Sequence, residues 1–161
     1  MTRTHTERTR RRGGFTLTEL MMVVIIIGLM AAMAGPRMMR WVQTIGQRGA
    51  TNQLAGDLAM ARIQAVRQGA TVSFRIDDAD TYRVTVDDAN GNVVRTLRTV
   101  NLQQVYRGAT LDPASGRIAF DSRGVVRPNP VSTVSQIVLT RGYVRKRVNI
   151  SGVGRIEVAD Y

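Results

Sequence analysis

A single carboxylate, Glu19, stands in a run that is otherwise uncharged from residue 13 to residue 36. At the centre of a membrane helix such a charge costs about 2.5–3.5 kcal/mol, and less near the interface, so it needs a partner. Thr16-Leu17-Thr18-Glu19 fits the Thr-x-x-Glu capping box, in which the carboxylate satisfies a free amide at a helix start. Elsewhere the means for catalysis are scarce. There is no cysteine, which excludes disulfides, thiolate metal sites, a lipoprotein anchor and a cysteine nucleophile. The only histidine, His5, lies in an Arg-rich leader, so the rest of the chain has no imidazole for a catalytic triad or a metal cluster. The acidic groups Asp77/Asp78/Asp80 and Asp87/Asp88 invite a calcium reading, but position one of an EF-hand loop counted back from Gly91 is Val86, and the acids read as turn formers. Gly152-Val153-Gly154 lacks phosphate-loop spacing and supplies turn geometry.

One further group of residues could bind something. On a strand, Tyr143, Arg145 and Arg147 share a face, with Arg141, Lys146 and Arg155 close in sequence. Arginines beside an aromatic suit phosphate contact and base stacking. The same pattern also serves as the solvated face of an edge strand that resists aggregation. The formal charge is +11, of which the first fourteen residues contribute +4, and Lys146 is the only lysine. This arginine excess fits an anionic partner such as nucleic acid or lipid headgroups, and equally plain solubility.

Three segments must position these residues. Residues 1–14 are polar and basic, and the positive-inside bias keeps them cytoplasmic. Residues 15–35 form a helix about 30 Å long, the thickness of a bilayer's hydrocarbon core, and Pro36 predicts a kink or local unwinding at its exit. The remaining residues, 37–161, suffice for one exported domain with a modest core. Helix resumes at Arg37 and runs to about Gln68, stopped by Gly69. Ala50, Leu54, Leu58, Ala61 and Ala65 line one face, and Val42, Ile45, Gly49, Gly56, Met60 and Ile63 the opposite one. Gln43 and Gln47 interrupt the first face, so only the lower half is expected to pack on the domain, leaving the glycine-bearing face for helices of other subunits or for burial within one domain. Strands are expected at 71–76, 82–86, 93–100, 105–111, 116–120, 135–140, 143–150 and 155–158, with a hairpin at Asn90-Gly91, a loop at 121–133, and two small sheets in all.

Gly14-Phe15-Thr16-Leu17-Thr18-Glu19 resembles the type III signal of type IV pilins and type II secretion pseudopilins, with glycine before the cut, phenylalanine after it and glutamate fifth. Pro36, twenty-second after the cut, fits as well. The resemblance implies that a prepilin peptidase cleaves after Gly14 and N-methylates Phe15. It also implies that Glu19 is counter-ion to the new amino group of Phe15 on a neighbouring subunit. A conventional secretory signal ending at Ala32-Met33-Ala34 competes, but it would place Glu19 in the apolar region and discard the anchor.

Farther along, Ile118-Ala-Phe-Asp-Ser-Arg-Gly124 and Val148-Asn-Ile-Ser-Gly-Val-Gly-Arg-Ile156 resemble the GspH/FimT family of minor pseudopilins and minor pilins. That implies an α+β, pilin-like fold: a long N-terminal helix, transmembrane in its first half, packed on an antiparallel two-sheet domain. It implies a non-enzymatic subunit without cofactor or metal. The subunit is single-pass in the bacterial inner membrane, N terminus cytoplasmic and domain periplasmic, and assembles with other pseudopilins near the tip of a type II secretion pseudopilus that handles a secreted protein. The alternative within the family is a type IV minor pilin acting in pilus biogenesis, twitching or DNA uptake. DNA-uptake members resemble one another in a Gly-Arg-x-Arg segment. Here Gly154-Arg155-Ile156-Glu157 replaces the second arginine with an acid, which counts against DNA. Outside the family, an anchored periplasmic binding protein or hydrolase remains as a reading.

Overall fold

The computed structural model describes residues 14–128 and 130–161, without the side chains of residues 34–37, 39–40 and 42–43. The leader expectations for residues 1–13 therefore lie outside the described residues, as do those for the side chains of Pro36, Val42 and Gln43. The chain divides into two compact units, Met1–Met39 and Arg40–Tyr161.

Helix α1 is assigned without a break over Leu17–Gln68, so the expected unwinding at Pro36 does not occur. A proline inside a helix removes one backbone hydrogen bond, and the neighbouring turns keep theirs. In the first unit the side chains from Leu17 to Met33 are exposed. Among the described residues no helix is long and apolar enough to cross a membrane. The expected span at 15–35 includes Ala34, whose side chain falls outside the description.

In the second unit α1 lies on two four-stranded antiparallel sheets. Strands β1 (Thr71–Ile76), β2 (Thr81–Asp87), β3 (Val93–Asn101) and β5 (Gly116–Phe120) form sheet A in the order β3-β2-β1-β5. Strands β4 (Ala109–Asp112), β6 (Gln136–Arg141), β7 (Val144–Ile150) and β8 (Ile156–Asp160) form sheet B in the order β4-β6-β7-β8. The expected helix face is the buried one: Ala50, Leu54, Leu58, Ala61 and Ala65 are all fully enclosed. They meet Val72 and Phe74 of β1, Tyr82 and Val84 of β2, Ile118 and Phe120 of β5, and Ile137, Leu139 and Val148 of sheet B. Phe74 and Tyr82 stack with ring centroids 4.7 Å apart. Full burial of each large apolar side chain contributes about 1.5–3 kcal/mol, so this spacing fixes how the helix seats.

Three expectations need correction. First, packing reaches higher than the lower half of the helix. Gln47 is fully buried and donates from Nε2 to the Leu139 carbonyl at 2.6 Å, so a polar residue continues the apolar face by bonding to a strand. Second, Gly49 faces the domain, because a Cβ there would lie 3.0 Å from the Tyr106 ring, and Met60 packs on the core. Ile45 and Ile63 remain exposed, and a Cβ on Gly56 would meet open space. Third, the strand expected at 105–111 is split. A short helix α2 (Leu102–Val105) is capped by Asn101, which accepts from the Gln104 amide at 3.1 Å, and Gly108 turns the chain with φ +81° before β4 starts at Ala109.

Candidate functional site

The capping box at the start of α1 is formed. Glu19 Oε2 accepts from the Thr16 amide at 2.9 Å and the Thr16 hydroxyl at 3.1 Å, and Thr16 Oγ1 accepts from the Glu19 amide at 3.3 Å. Both bonds to the carboxylate fall on one oxygen, and Oε1 accepts none among the described residues. Phe15 is exposed one residue before the cap. Glu19 therefore caps the helix start directly behind Gly14 and Phe15 while one of its carboxylate oxygens accepts no bond among the described residues.

The basic C-terminal residues are dispersed more than the sequence suggests. Tyr143 lies in the two-residue turn between β6 and β7, not on the strand, because Arg141 and Val144 already pair across the hairpin. On β7 the pleat puts Lys146 with the core residues Val148 and Ile150, and Arg145 and Arg147 on the opposite face. Lys146 pairs with Asp160, and Arg155 pairs with Glu157 at 2.7 Å. The aromatic partner of Arg145 and Arg147 is Tyr161, whose ring centre lies 5.6 Å from one guanidinium carbon and 4.9 Å from the other. The signal for this was register, since extending the Lys146–Asp160 pair by one residue sets Tyr161 beside Arg145.

Sequence reasoning also missed three internal anchors. Asp87, expected as a turn acid, is buried at the centre of a polar network on the face of sheet A away from the helix. It accepts from Thr85 Oγ1 at 2.8 Å, Arg117 Nη2 at 2.8 Å, Arg75 Nη2 at 3.0 Å, and the Ser73 hydroxyl. Burial, and next the like charge of Arg75, pull the Arg117 guanidinium below its ordinary value, and Asp87 opposes them. Alternation already places Ser73, Arg75, Thr85 and Asp87 on one face. Asp57 of α1 accepts from the Tyr82 hydroxyl at 2.7 Å and pairs with Arg98 at 3.0 Å. Burial first, then the bond to Asp57 and its charge, raise the Tyr82 phenol above its ordinary range.

Arg62 of α1 donates to the Gly124 carbonyl at 2.9 Å and to the Val153 carbonyl at 3.4 Å, and Val126 donates from its amide to the Gly152 carbonyl at 2.9 Å. The two stretches singled out in the sequence, 118–124 and 148–156, thus meet under one arginine. Gly154 has φ +78°, and a Cβ there would collide with the Gly124 carbonyl, so glycine is needed twice over. Asp78 and Asp88 behave as expected of turn acids, each accepting a backbone amide two residues on, as Asp121 does too, whereas Asp77 pairs with Arg83 at 2.6 Å and Asp80 accepts from the Thr81 hydroxyl. Among the described residues no three histidine, aspartate or glutamate side chains could hold a metal ion.

Comparison with known proteins agrees with this arrangement. Pilin-like protein PilA1 of Thermus thermophilus is 28% identical over 155 residues, covering 89% of this chain and 96% of that one. Fimbrial protein EcpC of Eikenella corrodens is 27% identical over 108 residues, covering 61% and 71%. Two crystal forms of the type IV minor pilin FimU of Pseudomonas aeruginosa share the fold, with TM-scores of 0.58 and 0.52 at 21% and 20% identity, covering 74% and 70% of this chain and 92% and 91% of that one. Residues 9–35 match the prokaryotic N-terminal methylation motif, and residues 50–154, which contain the helix face, the Arg62 clamp and every strand except β8, match the family described as type II transport protein GspH. The chain belongs to the GspH family, a pilin-like subunit with a prepilin-type N-terminal signal.

Proposed function

We propose that this chain is a minor pseudopilin of a type II secretion pseudopilus, seated near the filament tip. In this reading a prepilin peptidase cuts after Gly14 and methylates Phe15. The segment 15–36 then holds the subunit in the inner membrane, with the leader side cytoplasmic and residues 37–161 periplasmic. The half-open carboxylate of Glu19 is the observation that carries the proposal. Its capping role offers the buried charge a hydrogen-bonded seat, and the uncommitted oxygen can meet the amino group of Phe15 on an adjacent subunit as the helix leaves lipid. A charge-assisted bond of that kind is about twice as strong as a neutral one, which offsets part of the cost of holding a carboxylate among apolar side chains.

The intact mass of the membrane-extracted protein tests processing: a chain starting at N-methylated Phe15 is expected, and one starting at Gly35 or Met1 would overturn the reading. Glu19→Leu is expected to be processed yet fail to enter filaments, and wild-type assembly of that variant would end the pairing role.

A second reading, a type IV minor pilin, is favoured by the likeness to a fimbrial protein. Deleting the gene separates the two, since loss of secreted proteins supports the pseudopilus and loss of surface pili supports the pilus. DNA as a partner draws support only from Arg145, Arg147 and their aromatic neighbour, for Lys146 and Arg155 already face acids.

A further inference from the structure

The two sheets have four edges, and they are not treated alike. The loop after β5 lies along that strand: Arg127 and Thr133 donate backbone amides to the Ala119 and Arg117 carbonyls at 2.8 Å, and the Ser132 and Thr133 hydroxyls accept the Ala119 and Arg117 amides at 3.0 Å. Strand β4 donates from Leu111 to the Ala79 carbonyl at 2.6 Å and takes a bond from Gln103 at Ala109. Strand β3 carries two register shifts, which twist an edge away from further pairing. Strand β8 has none of these devices. It pairs in regular register with β7, contains no proline or lysine, has four exposed residues in five, and its backbone makes no other hydrogen bond among the described residues.

The guanidinium groups of Arg145 and Arg147 gather at the end of this same strand. Each starts on β7 and reaches the ring of Tyr161, the residue that follows β8 and extends its register opposite Arg145. Neither pairs with a carboxylate among the described residues, and Arg147 Nε is shielded from water without a partner. A strand added beside β8 would lie about 4.8 Å farther out, bringing alternate side chains within reach of those heads. Self-pairing of β8 between two copies about Val158 would set Glu157 opposite Ala159 and Asp160 opposite Ile156, and both acids are already paired, with Arg155 and Lys146, so β8 itself supplies no uncommitted acid for Arg145 and Arg147.

We infer that β8 is a docking edge for an extended acidic peptide segment, which adds as a further strand of sheet B and places a carboxylate on Arg145 and Arg147. The partner's backbone supplies the ladder and its acid supplies the specificity. If the chain is a filament subunit as proposed above, a neighbouring subunit is the source of that segment.

The test uses the full chain in detergent and a fluorescein-labelled peptide, Thr-Val-Asp-Val-Asp-Val-Thr, read by anisotropy. Binding is expected, weakened about tenfold or more when lysine replaces both aspartates or when the protein carries Arg145→Ala and Arg147→Ala. It should be abolished when alternate peptide amides are N-methylated, a change that leaves the protein intact. A Val158→Pro variant, folded by circular dichroism, should also lose it. Binding that survives N-methylation would exclude strand addition. Binding of a short DNA duplex with no binding of the peptide would assign the arginines to nucleic acid instead. No peptide binding at low salt would overturn the inference while leaving the subunit reading, which rests on the N-terminal mass, untouched.

Discussion

The faces of the two sheets that point away from the helix use the same residue types to opposite ends. On sheet A, Arg75 and Arg117 turn onto Asp87, and the β2–β3 hairpin closes over them, with the Gly91 carbonyl accepting from Arg75 at 2.7 Å. On sheet B, Arg145 and Arg147 find only an aromatic ring, and the strand beside them has a bare edge. Charge that is neutralised and covered has become part of the scaffold. Charge left beside an open strand is available to a partner, and the docking proposed for β8 would place recognition on sheet B.

The sharpest way to break this contrast is to remove the acid from sheet A. Asp87→Ala strands two partly buried guanidinium groups, and taking one partner from a buried ion pair costs about 3–5 kcal/mol. Urea unfolding of residues 40–161 should show a loss of that order. A loss under about 1 kcal/mol would mean that sheet A's charges are as dispensable as surface pairs.

Next in size is the bond between helix and sheet. Tyr82→Phe leaves the buried Asp57 carboxylate with one donor fewer, for an expected loss of about 1–3 kcal/mol. The pH dependence has a definite sign. The folded phenol is raised above its ordinary 10.0, so the neutral form is the one the fold favours. Its contribution is complete below that value and is lost as pH rises beyond it. In wild type the phenolate absorbance of Tyr82 should appear only together with unfolding, and Tyr82→Phe should remove that step. Ionisation of Tyr82 in the folded protein would show that the helix contact is looser than its 2.7 Å bond implies.

How much of this the sequence discloses depends on which interactions are periodic. The buried helix face from Ala50 to Ala65 and strands β1, β2 and β5 follow from spacing alone, because burial repeats every 3.6 or every two residues. The prepilin-type signal is local in sequence, so Gly14, Phe15 and Glu19 could be singled out without a fold. What escaped was set by contacts between distant residues. Gln47 is polar by type but bonds to Leu139, ninety-two residues away. Asp87, the last residue of β2, sits beside a true turn acid, Asp88, which lies just past the strand, and nothing in their local sequence tells the two apart. Tyr161 replaces Tyr143 in the basic site because strand pairing, not sequence distance, sets its neighbours.

Double substitution of Arg145 and Arg147 by alanine should leave stability within about 0.5 kcal/mol of wild type, as for surface residues that make no buried bond. The same variant should bind the acidic peptide about tenfold or more weakly. A large fall in stability would place these arginines in the scaffold and erase the distinction between the two sheets.

The smallest effect concerns how β8 itself is held. Asp160 at its end is hydrogen-bonded to Lys146, and that bond and charge, with Arg48 of the helix adding to them, hold its carboxyl below the ordinary 3.8. Its contribution is therefore present above 3.8 and fades as pH falls through the lowered value. Because the carboxylate is fully exposed, the consequence is local: β8 should loosen from β7 in acid while sheet A stays intact. Amide exchange of Val158 and Ala159, followed by NMR against pH, should rise in that window. Lys146→Gln should move the Asp160 midpoint up toward 3.8 and bring the exchange increase to higher pH. If exchange at β8 is unchanged by both acid and Lys146→Gln, the ladder to β7 holds the edge strand by itself, and the docking edge is then as rigid as the scaffold it is contrasted with.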